Sequence, residues 1–344
     1  MVQPGGTIGP KRRKRQKGGA PAMDDSDSLA TKWDKFYKSK GVKFYKDRNW
    51  LRRECLELMP EAVRRDPRTW CAPLTAGEAD HEADDSKPTA KDLDGKCVGI
   101  EVGCGCGSAA LPVLRANADV FIFATDFADE AVALLKQRDE YVAQSRCRPR
   151  RMYAWVGDVS DATGERWAWL EALAAARGGL EFATMVFVLS ALSRADMPRA
   201  ILRVAALLKP GGLLFFRDYG SGDLAQQRLA ASTLARGGTV DGETYERGEG
   251  TLSHYFSLDE CRELFDVGGL QPVEVKTVDR DITNRKKSIT MNRVWIQAKF
   301  VKADGRPVPR PINDPCAKPE PYSPDARPAE QAAAVDEKTY CSIS

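Results

Sequence analysis

Residues Lys96 to Asp126, KCVGIEVGCGCGSAALPVLRANADVFIFATD, constrain the fold of this chain more than any other stretch. A short apolar run, Cys97 to Val102, leads into Glu101-Val-Gly-Cys-Gly-Cys-Gly107. From Ser108 onward the apolar residues Ala110, Leu111 and Leu114 recur at helical spacing. A second apolar run, Val120 to Ala124, closes on Asp126, nineteen residues after Gly107. Strand, glycine turn, helix, strand and terminal carboxylate is the order of a βαβ nucleotide site, in which the acid meets ribose hydroxyls.

The spacing of the glycines narrows the ligand. Gly103, Gly105 and Gly107 carry no Cβ, so the backbone can turn sharply and let a ligand approach. The pattern is G-x-G-x-G with Glu101 ahead of it, whereas a dinucleotide pyrophosphate favours G-x-G-x-x-G and a bare helix N-terminus. A carboxylate beside the turn suits S-adenosylmethionine, whose amino-acid end is charged. Cys104-x-Cys106 has no second cysteine pair near it and the histidines are His81 and His254 alone, so no metal site is expected.

With 344 residues the chain can hold one α/β domain and appendages. No apolar run approaches the ~20 residues of a membrane span, and cysteines within apolar runs (Cys55, Cys97) fit reduced thiols, so a cytoplasmic location is expected. The formal charge of +3 conceals segregation: the first 23 residues carry six Lys/Arg and no acid, which leaves 3 − 6 = −3 for the rest. Within that remainder Lys32 to Arg53 holds nine basic residues, Arg280 to Lys302 holds seven, and Arg146, Arg148, Arg150 and Arg151 form a third cluster. Segregated positive charge is the footprint of a polyanion partner.

Residues 1–29 read as a disordered basic arm, with Lys11 to Lys17 a candidate nuclear address or non-specific RNA contact. Trp33, Phe36 and Tyr37 share a helical face flanked by Lys32, Lys35 and Lys38, and a further helix is expected to carry Leu51, Cys55 and Leu58. Aromatics alternating with cations over 30–60 suggest an element that stacks on bases and holds phosphates. Residues 61–95 read as an acidic flexible insertion, and 96–302 as the main domain. Within it, helices are expected over Ala128–Val142, Asp161–Ala176 and Ala195–Leu208, and strands over Met152–Val156, Phe182–Leu189 and Leu213–Phe216. Asp158 then sits at a strand end, where it can accept from an adenine amino group. Gly220 to Thr251 reads as a flexible lid, Ser257 as a helix cap, and Val273–Val278 with Ile289–Val301 as a closing hairpin. Residues 303–344 are Pro-rich and expected to be disordered; Cys341-Ser-Ile-Ser344 matches a prenylation signal loosely, Ser342 not being aliphatic, and no stable membrane association is expected.

Taken together, Trp33-Asp-Lys-Phe-Tyr37, Phe44-Tyr-Lys-Asp-Arg-Asn-Trp50, Glu101 to Gly107, Thr125-Asp-Phe127, Phe187-Val-Leu-Ser-Ala191, Leu208-Lys-Pro-Gly-Gly212, Phe216-Arg-Asp-Tyr-Gly220 and Arg293-Val-Trp-Ile-Gln297 resemble the eukaryotic methyltransferase-like tRNA 3-methylcytidine methyltransferases over residues 30–302. The resemblance implies a Rossmann-like class I S-adenosylmethionine-dependent α/β fold: a mostly parallel seven-stranded sheet with helices on both faces, plus an N-terminal helical tRNA-binding element. It implies cofactor contacts from Trp33, Tyr37, Gly103, Asp126, Asp158, Val159 and Val186. The target it implies is cytosine 32 of the anticodon loop, in threonine or arginine tRNAs. Some relatives need an aminoacyl-tRNA synthetase or another helper protein. Departures are Cys106 in the glycine turn, Gly157 before Asp158, and Leu252 where the family has the arginine of G-T-R.

Cytosine N3 is a neutral lone pair near pH 7 and needs little base catalysis, so the task is to extract the base, align it and exclude water. Arg217, Asp218 and Tyr219 are the catalytic candidates, and Lys46, Asp47, Arg48 and Trp50 the candidates for tRNA contact, because they offer cations for phosphate and carboxylates that orient an amine. The competing readings are a small-molecule or protein methyltransferase, and an inactive methyltransferase-like RNA-binding protein.

Overall fold

A computed structural model describes residues 27–42, 44–69, 84–146, 150–161, 163–235, 241–284 and 289–303. The expectations for the basic arm before residue 27, for residues 70–83 of the insertion and for the tail beyond 303 lie outside these.

Five apolar runs become parallel strands: β1 (Cys97–Val102), β2 (Val120–Asp126), β3 (Met152–Val156), β4 (Leu180–Val186) and β5 (Leu208–Tyr219). β2 is buried along its whole length, as a parallel strand covered on both faces must be. A small hairpin, β6 (Thr244–Glu246) and β7 (Leu252–His254), stands apart from the main sheet. β8 (Leu270–Asn284) and β9 (Ile289–Lys302) complete the main sheet in the order β3-β2-β1-β4-β5-β9-β8, with β9 antiparallel to both neighbours.

Several element ends differ from the sequence reading, each for a tertiary reason. The helix expected over Ala128–Val142 breaks into Asp129–Lys136 and Asp139–Arg146. At the break Arg138 turns back to donate to the Cys106 carbonyl at 3.0 Å and to Glu140. β4 stops at Val186, not Leu189, because Phe187 takes a left-handed φ of 61° and its N–H bonds the Arg217 carbonyl at 2.7 Å. β5 begins at Leu208 and runs through Lys209-Pro-Gly-Gly212, which the sequence reading treated as a break. The stretch expected to be a lid with a partly helical start contains the helix Leu224–Ala235 and then β6, which pairs with β7 just beyond it. Ser257 caps as expected, its Oγ accepting from Glu260 N at 3.0 Å.

The N-terminal segment packs onto this frame. Ser28 caps the helix Leu29–Lys40, and Trp33, Phe36 and Tyr37 bury against Cys106, Ala128, Ala131 and Ala191. Here the aromatic face is core, so these rings are not free to stack on bases; Phe44, half exposed, is. Leu51 and Leu58 fall on two short turns, Leu51–Glu54 and Leu56–Leu58, with Cys55 the cap between them, and all three pack with Leu111 and Leu114 in one core cluster. The third basic cluster is also reassigned. Arg150 is buried on Asp84, Ser86 and Asp92, and Arg151 on Gln144 and the Leu114 carbonyl, so these two guanidiniums tie residues 84–92 and neighbouring elements together.

Candidate active site

The C-terminal ends of β1 to β4 meet at an open cleft of about 480 Å³, lined by Trp33, Tyr37, Gly103, Asp126, Asp158 and Val159 among others. A second cleft of about 420 Å³ adjoins it and shares Trp33, Tyr37, Gly103 and Phe187, adding Tyr45, Arg48, Glu101 and Val186. All seven residues expected at the cofactor therefore line one connected space, brought there by the strand ends and by the helix Leu29–Lys40.

The glycine turn is held open by geometry that side chains would destroy. Gly103 has φ 64°, and a Cβ there would lie 2.4 Å from Val188. Gly105 has φ 51°, and a Cβ there would lie 2.7 Å from the Tyr37 hydroxyl. Asp126 ties the turn down: its Oδ2 accepts from Gly105 N at 2.8 Å and its Oδ1 from Ala128 N at 3.0 Å. Burial still dominates and pushes the Asp126 carboxyl up to about 6. Burial, with the neighbouring charge of Asp126, pushes Glu101 up to about 8, against the Ala110 N–H and Arg48 that favour its charged form.

Two buried polar atoms at these clefts, Glu101 Oε2 and Trp33 Nε1, have no hydrogen-bond partner. An orphaned carboxylate oxygen beside a glycine turn fits the amino-acid end of S-adenosylmethionine, and Asp126 at the β2 terminus fits the ribose. The cofactor supplies a methyl group on a sulfonium centre. Asp126→Ala is expected to weaken its binding by about 1–3 kcal/mol, the cost of losing a buried acceptor. Calorimetric titration checks this, and unchanged affinity in a folded variant would remove the assignment.

Sharing Phe187, Tyr45 and Arg48 with the lining of the clefts, a wall of rings and guanidiniums stands at the ends of β4 and β5. Phe187 and Tyr219 lie 4.9 Å apart between centroids, and Tyr219 and Tyr255 5.6 Å. Arg48 sits 5.1 Å over Phe187 and 5.5 Å over Tyr45, while Arg247 sits 5.3 Å and Arg293 5.8 Å over Tyr219. Of the catalytic candidates, Tyr219 alone is half-buried within this wall. Asp218 is fully buried, accepting from Ser190 N at 3.0 Å and Tyr219 N at 2.9 Å; burial raises its carboxyl to about 6. Arg217 is clamped between Trp50 at 4.3 Å and Trp295 at 4.9 Å and donates to Gln297; burial brings it down to about 10.

The tRNA candidates separate in the same way. Lys46 is exposed; Asp47 pairs with Arg115 and, at 3.6 Å, with Arg138; Trp50 packs on Arg217. Arg48 anchors its backbone N–H on the Ser108 carbonyl at 2.6 Å and turns its guanidinium into the second cleft. Sequence reasoning missed Arg247, which supplies a cation from the residue just after β6, its N–H bonding the Thr251 carbonyl at 2.8 Å. The hairpin register Glu246↔Leu252 is what places it, and the one legible signal was the Tyr245-Glu-Arg247 sequence before two glycines.

A parallel β3-β2-β1-β4-β5 order with an antiparallel strand beside β5, a glycine turn after β1 and a carboxylate ending β2 define a class I S-adenosylmethionine-dependent methyltransferase. A family model described as a methyltransferase domain matches residues 64–275. The tRNA N(3)-cytidine methyltransferase METTL2 of Danio rerio is 35% identical over 294 residues, covering 82% of this chain and 76% of that protein. The human METTL2B is 32% identical, with 78% of each chain covered. The tRNA N(3)-methylcytidine methyltransferase trm141 of Schizosaccharomyces pombe is 31% identical, covering 78% and 91%. Among solved structures, a SAM-dependent methyltransferase from Anabaena variabilis aligns with TM-score 0.49 and 11% identity, over 80% of this chain and 96% of that one. The chain belongs to the tRNA N(3)-cytidine methyltransferase family.

Proposed function

We propose that this protein transfers the methyl group of S-adenosylmethionine to N3 of cytidine 32 in the anticodon loop of threonine or arginine tRNAs. The observation that carries the substrate side is the ring-and-guanidinium wall formed by Phe187, Tyr219, Tyr255, Arg48, Arg247 and Arg293 at the mouth of the cofactor clefts. Rings offer π faces to a flipped base while guanidiniums meet its phosphates, the pairing expected where an unstacked nucleotide is held. Tyr219 and Phe187 fix the plane of the base, Arg48 and Arg247 hold the backbone, and the buried Asp218 keeps the Ser190 and Tyr219 backbone in place. No general base is required, because N3 carries no proton near pH 7. Exposed Lys46 adds long-range attraction for tRNA, and Phe44, packed on Phe36 and Tyr45, a half-exposed ring near it. An aminoacyl-tRNA synthetase or another helper protein completes recognition of the tRNA body, and the enzyme works in the cytoplasm and, with the Lys11–Lys17 run as its address, also in the nucleus.

Nucleoside mass spectrometry after incubation with tRNA and S-adenosylmethionine, with and without threonyl- or arginyl-tRNA synthetase, tests this. Product at cytidine 32 is expected, with none when that base is uridine; methylation that persists on the uridine-32 tRNA would overturn the position. Lys46→Ala is expected to reduce tRNA affinity about two- to fivefold at low salt and to flatten its salt dependence, leaving cofactor affinity intact. Lys46 is the suitable probe, since Arg48 lines the cofactor cleft as well.

A further inference from the structure

Arg203 lies on the helix Met197–Leu207, outside the residues that line either cleft, and is 3% exposed. Its Nη1 faces three main-chain carbonyls of one turn: Asp158 at 3.4 Å, Val159 at 3.3 Å, and Asp161. Its Nε lies 3.5 Å from Glu171, and the guanidinium stacks 5.0 Å over Trp167. Burying a guanidinium is costly and lowers its affinity for the proton, an effect opposed by Glu171 and by the acids of that turn. Three carbonyls converging on one point repel one another unless a cation lies between them, so the turn and the arginine stabilise each other.

The turn in question is the wall of the larger cleft. Gly157, Asp158 and Val159 line it directly. On its near side the turn is tied to β2, with Gly157 N bonding the Asp126 carbonyl at 2.9 Å and Thr125 Oγ1 bonding the Gly157 carbonyl at 3.1 Å. The Asp158 carboxylate is spent partly inside the turn, accepting from Ser160 N at 2.8 Å and Ser160 Oγ at 2.7 Å. Those bonds orient the side chain; on the far side the turn is held by Val159, buried in the hydrophobic core, and, through its carbonyls among the described residues, by Arg203.

We propose that Arg203 is a positioning residue for the base end of the cofactor: it touches no ligand, and it fixes the Asp158–Asp161 turn by gathering the turn's carbonyls from behind. One amino group, Nη1, meets all three acceptors, and it is held there because the rigid guanidinium plane is stacked on Trp167 with Nε beside Glu171, a fixed placement that a flexible lysine ammonium lacks. The inference rests on the cofactor assignment and is independent of the tRNA reading.

The test uses the full chain and S-adenosylhomocysteine, titrated calorimetrically into wild type, Arg203→Met and Arg203→Lys, with thermal melting followed in parallel. Arg203→Met is expected to weaken binding about tenfold or more, with a matching rise in KM for S-adenosylmethionine and kcat within about twofold. Arg203→Lys, which keeps the charge without the fork, is expected to recover part of the affinity. If Arg203→Met does not fold, the lysine variant decides: a weakened dissociation constant supports the assignment, and an unchanged one overturns it. A fall in binding stoichiometry or kcat at constant affinity also overturns it, since that is what a purely structural arginine would give. Binding of S-adenosylhomocysteine needs no tRNA, so an error in the substrate reading leaves this result unaffected.

Discussion

Asp223→Ala is expected to lower the free energy of unfolding by about 3 kcal/mol or more. Asp223 is fully buried just ahead of the helix Leu224–Ala235; its Oδ1 accepts from Ala225 N at 2.6 Å, and its Oδ2 from Arg293 Nε at 2.7 Å and Val294 N at 3.0 Å. Alanine strips two backbone N–H groups of their acceptor, at about 1–3 kcal/mol each when no water replaces it. The ion pair adds less, since Arg293 keeps 21% of its side chain exposed and can turn to solvent. Asp223→Asn retains one acceptor oxygen and should cost roughly half as much. Urea denaturation at constant m value measures both, and a loss under about 1 kcal/mol for alanine would mean that the Arg293 side of the wall is not held from Asp223.

The second large effect concerns pH. Glu101 is raised to about 8 in the folded protein from an ordinary 4.5, so the native state binds a proton there that the unfolded state releases. A raised carboxyl stabilises the fold fully below the unfolded value and loses that contribution as pH climbs through the folded value. Asp126 and Asp218, each raised to about 6, act in the same direction but are spent near pH 6. Between pH 6 and 8 the cofactor-free protein is therefore expected to lose roughly 2–3 kcal/mol through Glu101, the limit for one proton over two pH units. Glu101→Gln should remove that slope and leave the stability at pH 6 nearly unchanged. Melting curves across the interval decide the matter: parallel pH profiles for the two proteins would show that Glu101 is already charged in the fold.

Much of this architecture could be read before any coordinates. β1, β2 and β3 are buried apolar runs whose neighbours are turn residues, and their start points follow from hydrophobicity alone. The ends of β4 and β5 were not legible, because the Phe187 bond to the Arg217 carbonyl and the pairing of Leu180 with Leu208 join residues that are distant in sequence. Trp33 and Tyr37 were found through their motif, yet the alternation of ring and lysine around them is the same in an amphipathic helix and in a base-stacking surface; only the packing on Ala128 and Ala131 separates the two. Arg150 and Arg151 show the corresponding ambiguity for charge. A sequence places cations next to one another, but whether they meet phosphate or the carboxylates of residues 84 and 92 depends on which element folds against them.

The place of β9 in the sheet has a consequence for how the molecule is made. β9 is the last strand among the described residues, yet it lies between β5 and β8. It also receives the N-terminal segment, through Gln297 to Glu54 at 2.7 Å, a pair 243 positions apart, and through Lys299 to Glu57 at 3.0 Å. A chain leaving the ribosome has the glycine turn and five parallel strands complete while β5 still shows an unpaired edge and β8 has no neighbour. The Trp50–Arg217–Trp295 clamp and the Glu54 and Glu57 ties cannot close until that late strand emerges, so the N-terminal segment, whose Trp33 and Tyr37 dock on helices made earlier, gains its second attachment at the Trp50 end only when the final strand of the sheet is translated.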